Sequence, residues 1–199
     1  MKLLCTADLH RSEVLAQKVL DTIDAEKIDV LINCGDFLSN DFAANFFRRL
    51  KVRSFIVPGN WDPGLKSIEK NVTVLNHGIK EYKGYYFLAS SSGFPSDSEA
   101  MMDGTTKIDA KKIIFMTHYP PEGVLDRAWS SRAGYAGYRQ FDEAKKPLAH
   151  VFGHIHEDNG HIMHNDTMYI NCALALIPQA YVFDTEKVSV KPIVMGEIK

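Results

Sequence analysis

No stretch of this chain approaches the ~18 consecutive apolar residues that a membrane-crossing helix needs. Its N-terminus runs into KLLCTAD without the basic segment and long apolar stretch of a secretory signal. The chain therefore reads as soluble and cytoplasmic, with no membrane partner. Cysteine is scarce: Cys5, Cys34 and Cys172 are only three, far apart, and two of them sit in apolar runs that read as buried strands. An odd, scattered set excludes a disulfide framework and suits small core residues in a reducing compartment. An excess of one charge is also missing, since the formal net charge is −2, the pI is near 6.4 and no Lys/Arg run stands out. That excludes a dedicated nucleic-acid-binding surface, while a nucleotide or a nucleic-acid end stays admissible as a substrate. No internal repeat, low-complexity segment or linker rich in Gly, Pro or Ser divides the chain, so residues 1–199 read as a single domain. Its oligomeric state leaves no signature in the sequence.

What is present is a globular composition, 45% hydrophobic and 24% charged over 199 residues, enough to bury one substantial core. The short apolar runs LLCTA, VLINCG and SFIVPG alternate with the helically periodic segments EVLAQKVLDTIDAEK and DFAANFFRRL. That alternation is the signature of a sheet covered by helices. After residue 71 the pieces shorten to NVTVL, IKEY and YYFLAS, which read as a meander. KKIIFMTHYPP and AHVFGHIHE then read as strands running into loops, with FDEAKK as a short helix between them. HIMHN, MYIN, AYVFDT and VSVKPIV close the chain as short strands. The fold class is α/β, layered, with two sheets flanked by helices.

The polar residues gather at one kind of place. Asp8 and His10 follow LLCTA, Asp36 follows VLINCG, Asn60 follows SFIVPG, His118 follows IIFMT, and His154 and His156 follow HVFG. Loops beyond the carboxyl ends of neighbouring strands converge on one crevice, so residues far apart in sequence are brought together there. Any one of them has a plain explanation, as a helix cap or a hydrogen-bonded loop residue; seven oxygen and imidazole donors at strand ends do not. Carboxylates, imidazoles and an amide without thiolate suit Mn²⁺, Fe²⁺, Zn²⁺ or Mg²⁺. Seven ligands exceed one ordinary site and divide into two ions sharing a carboxylate, a standard device for displacement at phosphorus.

In order, the motifs are DLH at 8–10, GD at 35–36, GNWD at 59–62, TH at 117–118 and GHIH at 153–156. Together they resemble the calcineurin-like metallophosphoesterase superfamily, and the segment from Gly123 to Gly160 is similar to its compact prokaryotic branch. The resemblance implies a four-layer α/β/β/α sandwich of two mixed sheets flanked by helices. It implies two divalent metal ions, Mn²⁺ favoured over Fe, Zn, Ni or Mg, with Asp8, His10 and His156 on the first. Asn60, His118 and His154 would bind the second, and Asp36 would bridge. A hydroxide shared between the metals would attack a phosphate ester. Asp36, Asn60 and Asp62 would form the catalytic set, Asp62 as an acceptor that orients a ligand. Where the superfamily usually carries a His after the metal-binding Asn, this chain has Trp61. Indole is only a hydrogen-bond donor, so general-acid help is missing and a phosphodiesterase is expected. The alternatives are a phosphomonoesterase or nucleotidase, or a non-catalytic metal-binding scaffold.

The remaining histidines, His77, His150, His161 and His164, read as structural, with His161 the one placed to line the cleft. Loops 91–107 and 122–140 are long enough to face a substrate or to be plain surface. Arg127, Arg132 and Arg139 could clamp phosphate or lie in solvent, and Trp129, Tyr135 and Tyr138 could stack on a substrate or pack the loop.

Overall fold

The computed structural model describes residues 1–91 and 98–196. Residues 92–97, the first part of the loop proposed at 91–107, lie outside the described residues. The first half of the chain builds β1 (Lys2–Thr6), α1 (Glu13–Glu26), β2 (Val30–Asn33), α2 (Asn40–Arg49), β3 (Arg53–Ile56) and β4 (Val72–Val74). β5 (His77–Tyr82), β6 (Tyr85–Ser90), α3 (Ser98–Thr105) and β7 (Ile113–Thr117) follow. Then come β8 (Arg127–Ala128), β9 (Ser131–Arg132), α4 (Ala136–Lys145) and β10 (Ala149–Phe152). β11 (Gly160–His164), β12 (Thr167–Asn171), β13 (Gln179–Asp184) and β14 (Ser189–Val194) end the described chain.

Twelve strands form two six-stranded sheets, ordered β14-β13-β1-β2-β3-β4 and β11-β12-β10-β7-β6-β5. Both are mixed. β1 to β4 run parallel, β13 lies antiparallel beside β1, and β14 pairs antiparallel with β13 at the edge. β6, β7, β10 and β12 run parallel, with β5 and β11 antiparallel at the edges. Pro192, which cannot donate to a ladder, sits on the edge strand β14.

The strands read as unbroken apolar runs because both of their faces are covered. Leu3, Cys5, Val30, Ile32 and Phe55 point between the sheets, where they meet Phe87, Ile114, Met116, Val151 and Ile170. Their neighbours Leu4, Leu31 and Ile56 point the other way, against Ala16, Val19 and Ile23 of α1 and Phe42, Phe46 and Phe47 of α2. On the far face, Leu88, Ile113 and Phe115 pack with Met101 of α3 and with Tyr138 and Phe141 of α4. The result is four layers, α/β/β/α. Ser12 and Ser39 cap α1 and α2, accepting from the amides of Leu15 and Phe42.

The expected meander after residue 71 is not what forms. β4 pairs in parallel with β3 in the first sheet, and only β5 and β6 make a hairpin, around Lys83 and Gly84, both at positive φ. The short alternating pieces misled because a three-residue parallel strand and a hairpin strand have the same local pattern. Helix α4 starts five residues before FDEAKK, at Ala136. Its cap residue Tyr135 makes no side-chain cap bond and Gly137 lies in its first turn, so no start signal marks it.

Phe55 and Phe87 stack across the two sheets, both fully buried, with ring centroids 4.2 Å apart. Phe55→Ala is expected to destabilise the fold by about 3–5 kcal/mol, measured by urea unfolding; a loss below about 1 kcal/mol would show that the inter-sheet core tolerates a cavity there.

Candidate metal centre

All seven strand-end donors come from one rim of the sandwich, beyond β1, β2 and β3 of the first sheet and β7 and β10 of the second. Main-chain bonds stitch the sheets together at this rim. The Ala7 amide donates to the Cys172 carbonyl (3.0 Å) and the Leu174 amide donates to the Ala7 carbonyl (3.1 Å). Four of the seven, Asp8, His10, Asp36 and His154, sit at positive φ, a left-handed backbone that costs a non-glycine residue free energy. Neighbouring main chain holds two of them there, Asp8 donating to the Gly35 carbonyl (2.8 Å) and His10 to the Asp36 carbonyl (3.1 Å).

Two clusters result. Asp8, His10 and His156 offer ligand atoms within 4.8 Å of one another, and so do Asp36, His118 and His154. Asp8 Oδ1 lies 3.3 Å from His156 Nε2 and 3.7 Å from His10 Nε2. Asn60 joins the second cluster, its Oδ1 2.8 Å from His118 Nε2. Asp36 faces both, with Oδ2 3.5 Å from His118 Nε2 and 4.0 Å from His10 Nε2.

Electrostatics makes this arrangement demanding. Asp8 and Asp36 are 0% and 3% exposed. Burial would raise the Asp8 carboxyl, yet the facing His10 and His156 imidazoles and the His118 charge hold it well below the usual carboxylate range. Burial lowers His118, but Asp36, Asp8 and the Cys34 carbonyl outweigh it and raise the imidazole above its ordinary value. His156 is raised by its bond to Asp8. His154 goes the other way, pushed down to about 4 by burial and by His118. It is therefore neutral near pH 7, the form that binds metal.

Both ring nitrogens of His118 face oxygen: Nδ1 is 2.7 Å from the Cys34 carbonyl, Nε2 2.8 Å from Asn60. A neutral imidazole carries one N–H. A second proton, a cation beside it, or the Asn60 amide turned to donate would satisfy the second contact. His10 Nε2 is buried without a hydrogen-bond partner. Two clusters of N and O donors, an acceptor-facing imidazole nitrogen and an orphaned one fit divalent cations.

The calcineurin-like phosphoesterase family matches residues 1–158, more than half of the 199-residue chain. The chain belongs to this family. Calcineurin-like phosphoesterases act on phosphate esters and use divalent metals, and among the described residues the two clusters could hold them. The chain is 26% identical to UPF0046 protein K07C11.7 of Caenorhabditis elegans over 208 aligned residues, covering 87% of this chain and 69% of that protein. It is similar in fold to TT1561 of Thermus thermophilus, with a TM-score of 0.70, 14% identity and coverage of 98% of this chain and 99% of that one. It is likewise similar to a structure described as a novel archaeal phosphodiesterase, with a TM-score of 0.58, 18% identity and coverage of 98% and 99%. Among the described residues, no helix of this family member is long and apolar enough to cross a membrane.

Asp62, expected as an acceptor that orients a ligand, accepts from main chain around Asp36. Its carboxylate, 3% exposed, accepts from the backbone amides of Asp36 (2.7 Å), Phe37 (2.8 Å), Gly59 (3.0 Å) and Leu38 (3.3 Å). It shapes the Asp36 loop through the main chain. Burial pushes its carboxyl up, against the Gly59, Phe37 and Asp36 amides that favour the ionised form. Trp61 contributes its backbone, whose amide donates to Asp36 Oδ1 (3.0 Å), while its indole is 66% exposed and does not pack the rim. The glycines of two motifs are there for clearance. A Cβ on Gly59 would strike the Asp36 carboxylate and one on Gly153 the Asp8 carboxylate.

The remaining candidates separate. Arg132 pairs with the buried Asp126 and Arg139 with Glu143, so neither guanidinium is an uncommitted phosphate clamp; Arg127 lies exposed on β8. Tyr138 is fully buried against Ser90, and Trp129 is 81% exposed at the tip of the β8–β9 hairpin. Loop 122–140 is thus that hairpin followed by the start of α4. His77 and His164 are exposed on β5 and β11, and His161, also exposed on β11, sits 5.3 Å from the Tyr181 ring. His150 is buried between Asp142 and Thr117.

Two contributors had not been singled out. Tyr119 stacks on Tyr135 (4.9 Å) and sets its edge against His154 (4.4 Å). Asn171 Nδ2 donates to the carbonyls of Leu125, Ile155 and Asp158, bracing the His154–His156 loop from below. A polar Asn ending an apolar strand, in the tripeptide INC that occurs at 32–34 and again at 170–172, was the available signal.

Asp62→Ala leaves several buried amides without an acceptor at about 1–3 kcal/mol each, so unfolding in urea is expected to shift by about 3 kcal/mol or more. A variant within about 1 kcal/mol of wild type would mean that those amides find other partners.

Proposed function

We propose that the chain is a dinuclear, divalent-metal-dependent phosphodiesterase. One observation carries the reading: two ligand clusters share a single buried carboxylate, Asp36, which faces an imidazole of each. Asp8, His10 and His156 would hold one ion, Asn60, His118 and His154 the other, and Asp36 would bridge. Carboxylates, imidazoles and an amide admit Mn²⁺, Fe, Zn, Ni or Mg, and the family resemblance favours Mn²⁺. When bound, such a pair of ions lowers the pKa of water and neutralises phosphate oxygens.

The chain's own residues do the rest. Asp62 and the Trp61 amide fix the Asp36 loop, and the His154 amide donates to Asp8 Oδ2 (3.0 Å), which aims that carboxylate. Position 61, where the superfamily pattern usually has a histidine, holds an indole that does not titrate. A monoester dianion reacts through a loose transition state with much charge on the leaving oxygen, and suffers most without an acid. A diester leans more on the nucleophile. The fold neighbour described as an archaeal phosphodiesterase agrees with this choice. Three free, buried cysteines fit a reducing compartment such as the cytoplasm.

Asp36→Ala is expected to abolish activity more completely than loss of any ligand serving a single ion, with elemental analysis showing fewer than two ions per chain. A variant that keeps both ions and wild-type turnover would defeat the bridging assignment. Wild-type enzyme with Mn²⁺ is expected to hydrolyse aryl diesters with higher kcat/KM than aryl monoesters. Trp61→His is expected to shift that ratio towards monoesters by up to the roughly 10²–10⁴ that general-acid help contributes. Preference of the wild type for alkyl monoesters, or an unmoved ratio in the variant, would overturn the phosphodiesterase reading.

A further inference from the structure

A second buried polar chain lies behind the centre, on the α4 side of the second sheet. His150 on β10, Asp142 on α4 and Thr117 at the end of β7 are 0%, 2% and 0% exposed. His150 Nδ1 is 2.7 Å from Asp142 Oδ2, and His150 Nε2 is 2.8 Å from Thr117 Oγ1. Thr117 Oγ1 in turn donates to the Tyr119 carbonyl at 2.6 Å. A hydroxyl has one hydrogen. Because Thr117 gives its hydrogen to Tyr119, it must accept from His150, so Nε2 carries a proton and the direction of the chain is fixed. Nδ1 then meets the Asp142 carboxyl, and the two side chains share the remaining proton between them.

The imidazole has no room to turn. Phe115, Phe152, Tyr138 and Tyr169 surround it, with ring centroids 4.3, 5.1, 6.0 and 6.1 Å away. The far end of the chain closes around one candidate ligand. The bond from the Thr117 side chain to the Tyr119 carbonyl spans His118, whose Nδ1–H donates to the Cys34 carbonyl. Tyr119 then lies with its ring centroid 4.4 Å from that of His154 and 5.2 Å from that of His118.

We infer that Asp142, His150 and Thr117 form a positioning relay, which transmits the placement of α4 through the second sheet and sets His118 and Tyr119 in the metal centre. The inference rests on the reading of His118 as a metal ligand. Groups that hold ligands in place typically contribute about 10- to 100-fold to metal affinity or activity. A merely structural trio would affect stability alone.

Thr117→Val removes the hydroxyl and keeps the shape; Thr117→Ser keeps the hydroxyl. At a temperature where all forms are folded, Thr117→Val is expected to bind Mn²⁺ about 10- to 100-fold more weakly by calorimetric titration. With metal saturating, its kcat should fall while KM stays unchanged, and Thr117→Ser should restore both. Wild-type Mn²⁺ affinity and turnover in Thr117→Val, with only a lowered melting temperature, would overturn the relay. A measurement on the wild type guards against a variant that does not fold: ¹⁵N-histidine spectra should show a protected Nε2–H on His150, and an unprotonated Nε2 there would also overturn the relay. If the wild type hydrolyses no diester, the proposed activity fails on its own, while the Mn²⁺ titration and the spectrum still decide the relay.

Discussion

Two negative charges buried at the seam between two sheets are the constraint on which this structure depends. Asp8 and Asp36 lie beneath the rim where the sheets are stitched together, and a carboxylate out of water must be compensated by positive charge or by hydrogen bonds. Both kinds of compensation are present. His10, His118 and His156 supply imidazole nitrogens, and the amides of His154 and Trp61 supply N–H donors. The crowding of imidazole nitrogens and carboxylate oxygens, one of the nitrogens without a partner, makes this a candidate cation site.

Most of the work of holding those charges is done by the main chain. Four candidate ligands adopt left-handed backbone, two motif glycines leave room for carboxylates, and one aspartate outside the ligand set gathers four amides. Each device costs local stability. The four-layer core offsets it, with aromatic residues from α2, β3, β6 and α4 buried on both faces of the sheets. The rigid sandwich and the strained rim are therefore one design: the strands end where they do so that loops from two sheets reach a common point.

Much of this was legible in the sequence. The runs LLCTA, VLINCG, SFIVPG, IIFMT and HVFG announced strands, and a metal-binding side chain following each announced convergence, because periodicity and residue chemistry are local properties. Helix-covered sheets followed from the alternation of apolar runs with helically periodic segments, and the four-layer count from the resemblance. The beginning of α4 was not legible, since it lacks a capping side chain, and the place of β4 was not, since three residues carry no sign of which sheet they join. Asp62 was read as an acceptor that orients a ligand, but its partners, the amides of Asp36, Phe37 and Leu38 and the nearby Gly59, were not legible because every residue carries an amide.

The sequence by itself determined which residues could bind a cation and that they lie at strand ends, because donor type and hydrophobic period are written residue by residue. The resemblance implied the division into two sets around Asp36; only the tertiary structure brought the two clusters within reach of one carboxylate and showed that Trp61 acts through its amide. It alone joined Asp142, His150 and Thr117 behind His118. The physical reason is that these relations depend on the register between two sheets and on bonds to backbone atoms, which every residue possesses and no sequence pattern distinguishes.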